Sequence, residues 1–144
     1  MTLPASAYAN DRRSRRTILL VEDDPFVREV TRCLLEHAGF EVLPAEDSRN
    51  AMKVYENCQR EIDLLMTDMV LPGGTGRQLG QELQQRSPEI VVLVTSGYID
   101  QDDTEAPESR TYFLAKPYSM RTLVEKIETI LGAAPLRRVV KQAS

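Results

Sequence analysis

Four short apolar runs in this 144-residue chain end in residues that can do chemistry. Ile18-Leu19-Leu20-Val21 leads into Glu22-Asp23-Asp24, Leu64-Leu65-Met66-Thr67 into Asp68, Ile90-Val91-Val92-Leu93-Val94 into Thr95-Ser96, and Tyr112-Phe113-Leu114-Ala115 into Lys116. Apolar runs of four or five residues bounded by turn signals fit strands covered on both faces, as in a parallel sheet. Parallel strands bring all their carboxyl ends to one edge, where open α/β sheets bind ligands. Three carboxylates, a hydroxyl and an amine then converge. The acids would repel one another without a cation, and an all-oxygen set lacking His and Cys suits Mg²⁺. The amine and hydroxyl are fitted to an anionic group beside that metal, most naturally phosphoryl. Asp68 taken alone would be no more than a turn starter; its convergence with the other strand ends gives it a role.

The elements that must hold these ends in place alternate along the chain. Pro25 opens a helix with Asp24 as N-cap, Val27, Val30, Leu34 and Ala38 recur at helical spacing, and Gly39 stops it. Phe40 to Ala45 reads as a strand, Ser48 caps a helix running to about Cys58, and Ile62 to Thr67 is the strand before Asp68. A Pro72–Gly76 turn precedes a helix with Leu79 and Leu83 inward, ending near Arg86 before Pro88. Ser119 caps the last helix and Gly132 closes it. Strand and helix in alternation imply right-handed crossovers. The expected fold is α/β: a flavodoxin-like, doubly wound, five-stranded parallel sheet of order 2-1-3-4-5, with helices on both faces.

Composition bounds the function. One domain of this size buries roughly two thirds of its unfolded surface and needs no staples. Cys33 and Cys58 have no Cys-x-x-Cys or His-rich surroundings and read as ordinary core thiols of a reducing cytosol. No apolar run approaches the ~20 residues of a membrane span, so a cytoplasmic protein without membrane insertion is expected. The net charge of −4 hides an asymmetry. Residues 1–16 carry four arginines against one aspartate and residues 133–144 carry Arg137, Arg138 and Lys141, which leaves an acidic body between basic ends. An acidic body argues against direct nucleic-acid binding. The organisation expected is a flexible basic arm at 1–16, one domain at 17–132 and a tail at 133–144. His37, the only histidine, falls in the last turn of the first helix, where the helix dipole favours it.

With "LLVEDDP", "LLMTDMVLPGGTG", "VVLVTSGY" and "FLAKPYS" in this order and spacing, residues 17–132 resemble the receiver domain of two-component response regulators, either single-domain or attached to a hybrid histidine kinase. The resemblance implies a phosphoacceptor switch in a phosphorelay, not an enzyme with a released substrate. Asp68 would accept phosphoryl from the phosphohistidine of a sensor histidine kinase or histidine phosphotransfer protein, and pass its state to a downstream protein target. Asp23 and Asp68 would ligate Mg²⁺, Glu22 would hold it through water, and the main-chain carbonyl of Val70 would complete the protein ligands. Lys116 would pair with the phosphoryl group and Thr95 would hydrogen-bond it. Thr95 and the Phe113 ring would form the switch, and the Lys116-Pro117 bond would be cis. No output domain is expected after residue 132.

The segment between the fourth and fifth strands departs from that family. Asp100, Asp102, Asp103, Glu105 and Glu108 crowd around Pro107 with little to bury, so the helix there is expected to be short or irregular. Two rival functions share the strand-end aspartate. A haloacid-dehalogenase-like, Mg²⁺-dependent phosphatase would use Asp68 as nucleophile but wants an acid two residues on, where Val70 stands; a non-phosphorylated interaction module would have lost an acid or the lysine, and none is lost. Neither Val70 nor Gly97 can orient a water for acyl phosphate hydrolysis, so slow autodephosphorylation is expected.

Overall fold

The computed structural model describes residues 15–97 and 105–133. Its main sheet is five-stranded and parallel, built from β1 (Thr17–Val21), β2 (Glu41–Ala45), β3 (Leu64–Asp68), β6 (Val91–Ser96) and β7 (Thr111–Ala115) in the order β2-β1-β3-β6-β7. Counting only these strands the order is 2-1-3-4-5, the one expected. Between β3 and the third helix lies a small antiparallel hairpin, β4 (Val70–Leu71) and β5 (Gly74–Thr75), with Gly73 at φ +81° in its turn. A left-handed turn residue of this kind favours glycine, which has no Cβ to clash.

Each sheet face carries its own core. Ile18, Leu20, Leu64, Met66, Val91 and Leu93 point to one face and meet Leu35 of α1 (Pro25–His37) and Leu123, Ile127 and Ile130 of α4 (Met120–Ala133). Leu19, Val21, Leu65, Val92, Val94 and Phe113 point to the other and meet Ala51 of α2 (Ser48–Asn57) and Leu79 and Leu83 of α3 (Gly76–Arg86). Strands buried on both faces lose the alternating pattern of an exposed sheet, which is why their sequences read as continuous apolar runs.

The caps set where each helix starts. Asp24 accepts from the Phe26 and Val27 amides, and Thr75 with Gln78 makes a reciprocal capping box at the start of α3. Two ends differ from the sequence reading. Asp47, not Ser48, caps α2 by accepting from the Asn50 amide, and α4 runs through Gly132 to Ala133. Gly39, at φ +107°, follows the C-cap of α1 as expected.

The expectation of core cysteines is corrected, and the inward stripe of α1 is one that helical spacing alone did not fix. Val27, Val30 and Leu34 are each about two-fifths exposed and Ala38 is exposed, while Thr31 and Leu35 face the sheet. Period alone fixes a helix, but which stripe turns inward is set by the neighbours it packs on. Cys33 is exposed on α1 and Cys58 lies just beyond α2, half-buried with its Sγ donating to the Arg60 carbonyl, so neither is a fully buried core thiol. Of the acidic segment, residues 98–104 lie outside the described residues. Its remainder forms a single 3₁₀ turn, Pro107–Ser109, and Glu105 is fastened by the Lys126 ammonium at 2.6 Å and the Phe113 amide at 3.1 Å. That support came from β7 and α4, which local composition cannot reveal.

Gly76 begins α3 against the end of β3. Its amide donates to the Met69 carbonyl at 2.7 Å, and a Cβ there would lie 2.1 Å from the Asp68 carbonyl oxygen and 2.8 Å from Thr67 Cγ2. Gly76→Ala should therefore destabilise the fold by about 1–3 kcal/mol in urea denaturation. Gly132→Ala, in open space on a helix, should be neutral or stabilise by up to about 1 kcal/mol. Equal stabilities for the two variants would show that the Asp68 loop yields at no cost.

Candidate functional site

The carboxyl edge of the sheet gathers the residues that the sequence singled out. Asp68 is the last residue of β3 and Thr95 lies opposite it in β6. Thr95 Oγ1 donates to Asp68 Oδ1 at 2.8 Å, and Lys116 Nζ lies 2.8 Å from the same oxygen. Register explains the meeting: β6 pairs beside β3, β7 pairs beside β6, and the Lys116 amide donates to the Ser96 carbonyl at 2.8 Å. The Lys116-Pro117 peptide is cis, as the resemblance implied. The Met69 amide donates to the Thr95 carbonyl at 2.8 Å, which ties the chain after Asp68 to the threonine's own backbone.

From β1 come the other acids. Carboxylate oxygens of Glu22, Asp23 and Asp68 lie within 4.8 Å of one another. Glu22 is 7% exposed and Asp23 is open to solvent. Glu22 is fixed from three sides: its amide donates to the Ala45 carbonyl, its carboxylate accepts from the Asp24 amide at 3.1 Å, and its carbonyl accepts from Arg28 Nη1 at 2.7 Å. Burial, then the hydrogen bond shared with Asp68, raise its pKa to about 7, against the pull of the Asp24 amide. Burial alone would lower the Lys116 pKa, but its hydrogen bond to Asp68 and the charges of Asp68 and Glu22 outweigh it and hold the ammonium above its ordinary value. A set of oxygens from three carboxylates fits a hard divalent cation such as Mg²⁺.

The remaining sequence-predicted residues are placed differently. Val70 stands at the start of the hairpin, two residues past Asp68, with 77% of its surface exposed. Phe113 is core, 8% exposed, opposite Val94 and under the Arg77 guanidinium, whose carbon lies 5.2 Å from the ring centroid. His37 sits exposed in the last turn of α1, a helix away from the acids. Sequence reasoning missed Arg28, which braces Glu22 six residues earlier. It also missed the outward stripe of Phe26, Val27, Val30 and Leu34 beginning beside the site. An apolar residue next to an N-cap, with others at three- and four-residue steps, was the available signal for that stripe.

A family model described as the response regulator receiver domain matches residues 18–128. The response regulator receiver protein CpdR of Brucella abortus is 33% identical over 123 residues, covering 83% of this chain and 99% of that protein. A cyclic di-GMP phosphodiesterase of Thermotoga maritima is 33% identical over 116 residues, but the chain spans only 30% of its length. Among solved structures, the receiver domain of the hybrid histidine kinase CckA superposes with a TM-score of 0.67 at 35% identity, covering 80% of this chain and 98% of that one. The fold is that of a receiver domain of two-component systems. The chain belongs to the response regulator receiver domain family.

The acid cluster has a pH signature in metal-free protein. A carboxyl whose folded pKa is raised from 4.5 to about 7 favours the fold when protonated. Its contribution is complete below about pH 4.5 and is lost as pH rises through about 7. Glu22→Gln should therefore be more stable than the unmodified protein in chelator at pH 8, by about 2–3 kcal/mol, with the gap closing towards pH 5. Thermal melts at both pH values check this, and a gap that does not change with pH would contradict it.

Proposed function

We propose that this receiver domain takes phosphoryl from the phosphohistidine of a sensor histidine kinase or histidine phosphotransfer protein onto Asp68. The observation that carries the reading is the pair of donors, Thr95 Oγ1 and Lys116 Nζ, that share Asp68 Oδ1 beside two further acids. In the ionised site both donors fall on Oδ1, which leaves Oδ2 with its lone pairs for attack on phosphorus. The bond from Asp68 oxygen to phosphorus forms as the phosphorus–nitrogen bond breaks, and the imidazole leaves with that electron pair. Asp68 then carries an acyl phosphate, and Lys116 and Thr95 are placed to donate to its oxygens.

Asp23 and Asp68 would ligate Mg²⁺, Glu22 would hold it through water, and the Val70 carbonyl would complete the protein ligands. Bound there, Mg²⁺ would neutralise the acids and the charge that develops on the phosphoryl oxygens. Lys116, 2.8 Å from Asp68 Oδ1, would supply a second positive charge there. Phosphorylation alters what Thr95 donates to, and its carbonyl bond to the Met69 amide carries that change into the Asp68 loop. A downstream protein target reads the result. No helix among the described residues is long and apolar enough to cross a membrane, and a cytoplasmic location suits a phosphohistidine donor.

The donor has a surface to dock on. Phe26 and Val70 are three-quarters exposed at the loops that flank Asp68, and Val27, Val30 and Leu34 continue the apolar stripe along α1. Exposed apolar side chains in such a row mark a protein contact. A helix of the histidine-bearing partner laid along this stripe would bring its imidazole to the acids. Phe26→Asp should accordingly slow transfer from a phosphohistidine protein at least about tenfold, a typical cost for losing an apolar anchor, while leaving phosphorylation by acetyl phosphate within about twofold. Equal slowing with both donors would place Phe26 in the chemistry and not in docking.

The phosphoacceptor assignment is tested by exposing the protein to acetyl phosphate and following intact mass. One phosphoryl group should be gained in Mg²⁺, none in chelator and none by Asp68→Asn. The same series follows decay: phosphoryl should persist for many minutes, and Val70→Asn, which can orient water, should shorten its life. Labelling without Mg²⁺, or in Asp68→Asn, would contradict the assignment.

A further inference from the structure

Of the three acids at the carboxyl edge, Asp23 is the exposed one; Glu22 is buried and Asp68 half-buried. It stands in the link between β1, which ends at Val21, and α1, which starts at Pro25. A carboxylate on such a link meets a cation at little cost only if the backbone on both sides of it is already fixed, since ordering it on binding would lose conformational freedom. Arg28 fixes both sides. Its Nη1 donates to the Glu22 carbonyl at 2.7 Å, and its amide donates to the Asp24 carbonyl at 2.9 Å. The amide bond is the first rung of the α1 ladder, but the guanidinium bond has no part in a helix. The Glu22 carbonyl lies in the planar peptide that enters Asp23, so the guanidinium sets the direction in which that residue leaves the strand.

The charge is badly placed for the helix alone. Arg28 lies near the N-terminus of α1, whose first turn holds no acid, and the helix dipole there favours anions over cations. Half-buried and rich in rotamers, the side chain also gives up freedom, and its charge-assisted bond to the carbonyl offsets both costs. The other part a cation can play there, as a countercharge to the three acids, has the opposite effect on a metal. A fixed positive charge beside the cluster repels Mg²⁺, whereas a fixed Asp23 favours it. The sign of the change on removing Arg28 therefore separates the two.

We propose that Arg28 is a positioning residue of the acid site: by holding the Glu22 carbonyl it sets the Asp23 carboxylate in advance for a divalent cation shared with Asp68. The proposal rests on the Mg²⁺ reading above and deepens it, naming a residue that acts through the backbone. Partners one step removed from a metal commonly carry about 10- to 100-fold of its affinity. Asp24 also steadies this link, its amide donating to the Glu22 carboxylate and its own carboxylate accepting from the Phe26 and Val27 amides. The lower end of that range therefore applies to Arg28.

The test titrates Mg²⁺ into the full chain at constant ionic strength and follows amide chemical shifts, which read affinity in the folded protein. Arg28→Met keeps the stem and removes the donors. It should weaken Mg²⁺ binding about tenfold. Arg32→Met takes an arginine from the same helix, where its partners are Glu29 and Glu36, and should leave the affinity within about twofold. A merely structural Arg28 would lower the thermal midpoint in chelator and leave the affinity of the folded chain unchanged. Unchanged or tighter Mg²⁺ binding in Arg28→Met, or equal weakening in Arg32→Met, overturns the proposal. Mg²⁺ binding that survives Asp23→Ala together with Asp68→Ala, or no binding by the unmodified chain, overturns the cation reading itself, so the two failures are told apart.

Discussion

The mutual repulsion of Glu22, Asp23 and Asp68 is the constraint around which this fold is arranged. Their oxygens lie within 4.8 Å of one another at the end of two adjacent strands, and among the described residues Lys116 and Thr95 answer that charge at Asp68 directly. Like charges this close are tolerated only where the backbone leaves them no retreat. The backbone does so here: β1 and β3 pair residue for residue from Ile18 to Val21, and the Glu22 amide is bound to Ala45 on the other side. Buried apolar strands supply the rigidity, and the unfavourable charge at their ends makes a site that gains from a cation. Stability given up at the edge of the sheet is what the proposed phosphoryl transfer would draw on.

The same arrangement decides how a signal can leave the site. Asp68 is joined to Thr95 by a side-chain hydrogen bond, and the backbone of Met69 is joined to the Thr95 carbonyl, so the loop after Asp68 is tied to the end of β6 at two points. β7 is stiffened independently by Glu105, Lys126 and Arg77 around Phe113. Among the described residues before β7, one 3₁₀ turn and the ion pair of Glu105 with Lys126 brace the sheet's edge strand. The turn at Lys116 to Tyr118 is the link between β7 and α4, and it is also where the site's lysine arises.

Much of this was legible in the chain. Apolar runs ending in Asp68, Thr95 and Lys116 gave the strands, and their alternation with helices gave the order of the sheet, because burial on both faces leaves a pattern that no exposed strand shares. The site followed from the topology, since parallel strands must deliver their ends together. Less legible were features decided by packing between distant segments. The inward face of α1 proved to be Thr31 and Leu35, not the valines at equally regular spacing, and Cys33 proved exposed. Asp47 displaced Ser48 as a cap because two adjacent residues could each serve, and only the backbone path chooses between them. Glu105 looked like one more charge in an acidic run, and its partner, Lys126, lies 21 residues away in sequence.

The central claim is that the strand ends make Asp68, and no other side chain, the phosphoryl acceptor. Acyl phosphates are reduced by borohydride, which converts the modified aspartate to homoserine and marks its position permanently. Protein phosphorylated in Mg²⁺, reduced and mapped by peptide mass spectrometry should carry the mark at Asp68 alone. A mark at Asp23 or Glu22, or phosphoryl recovered unreduced on His37 or a hydroxyl, would contradict the account.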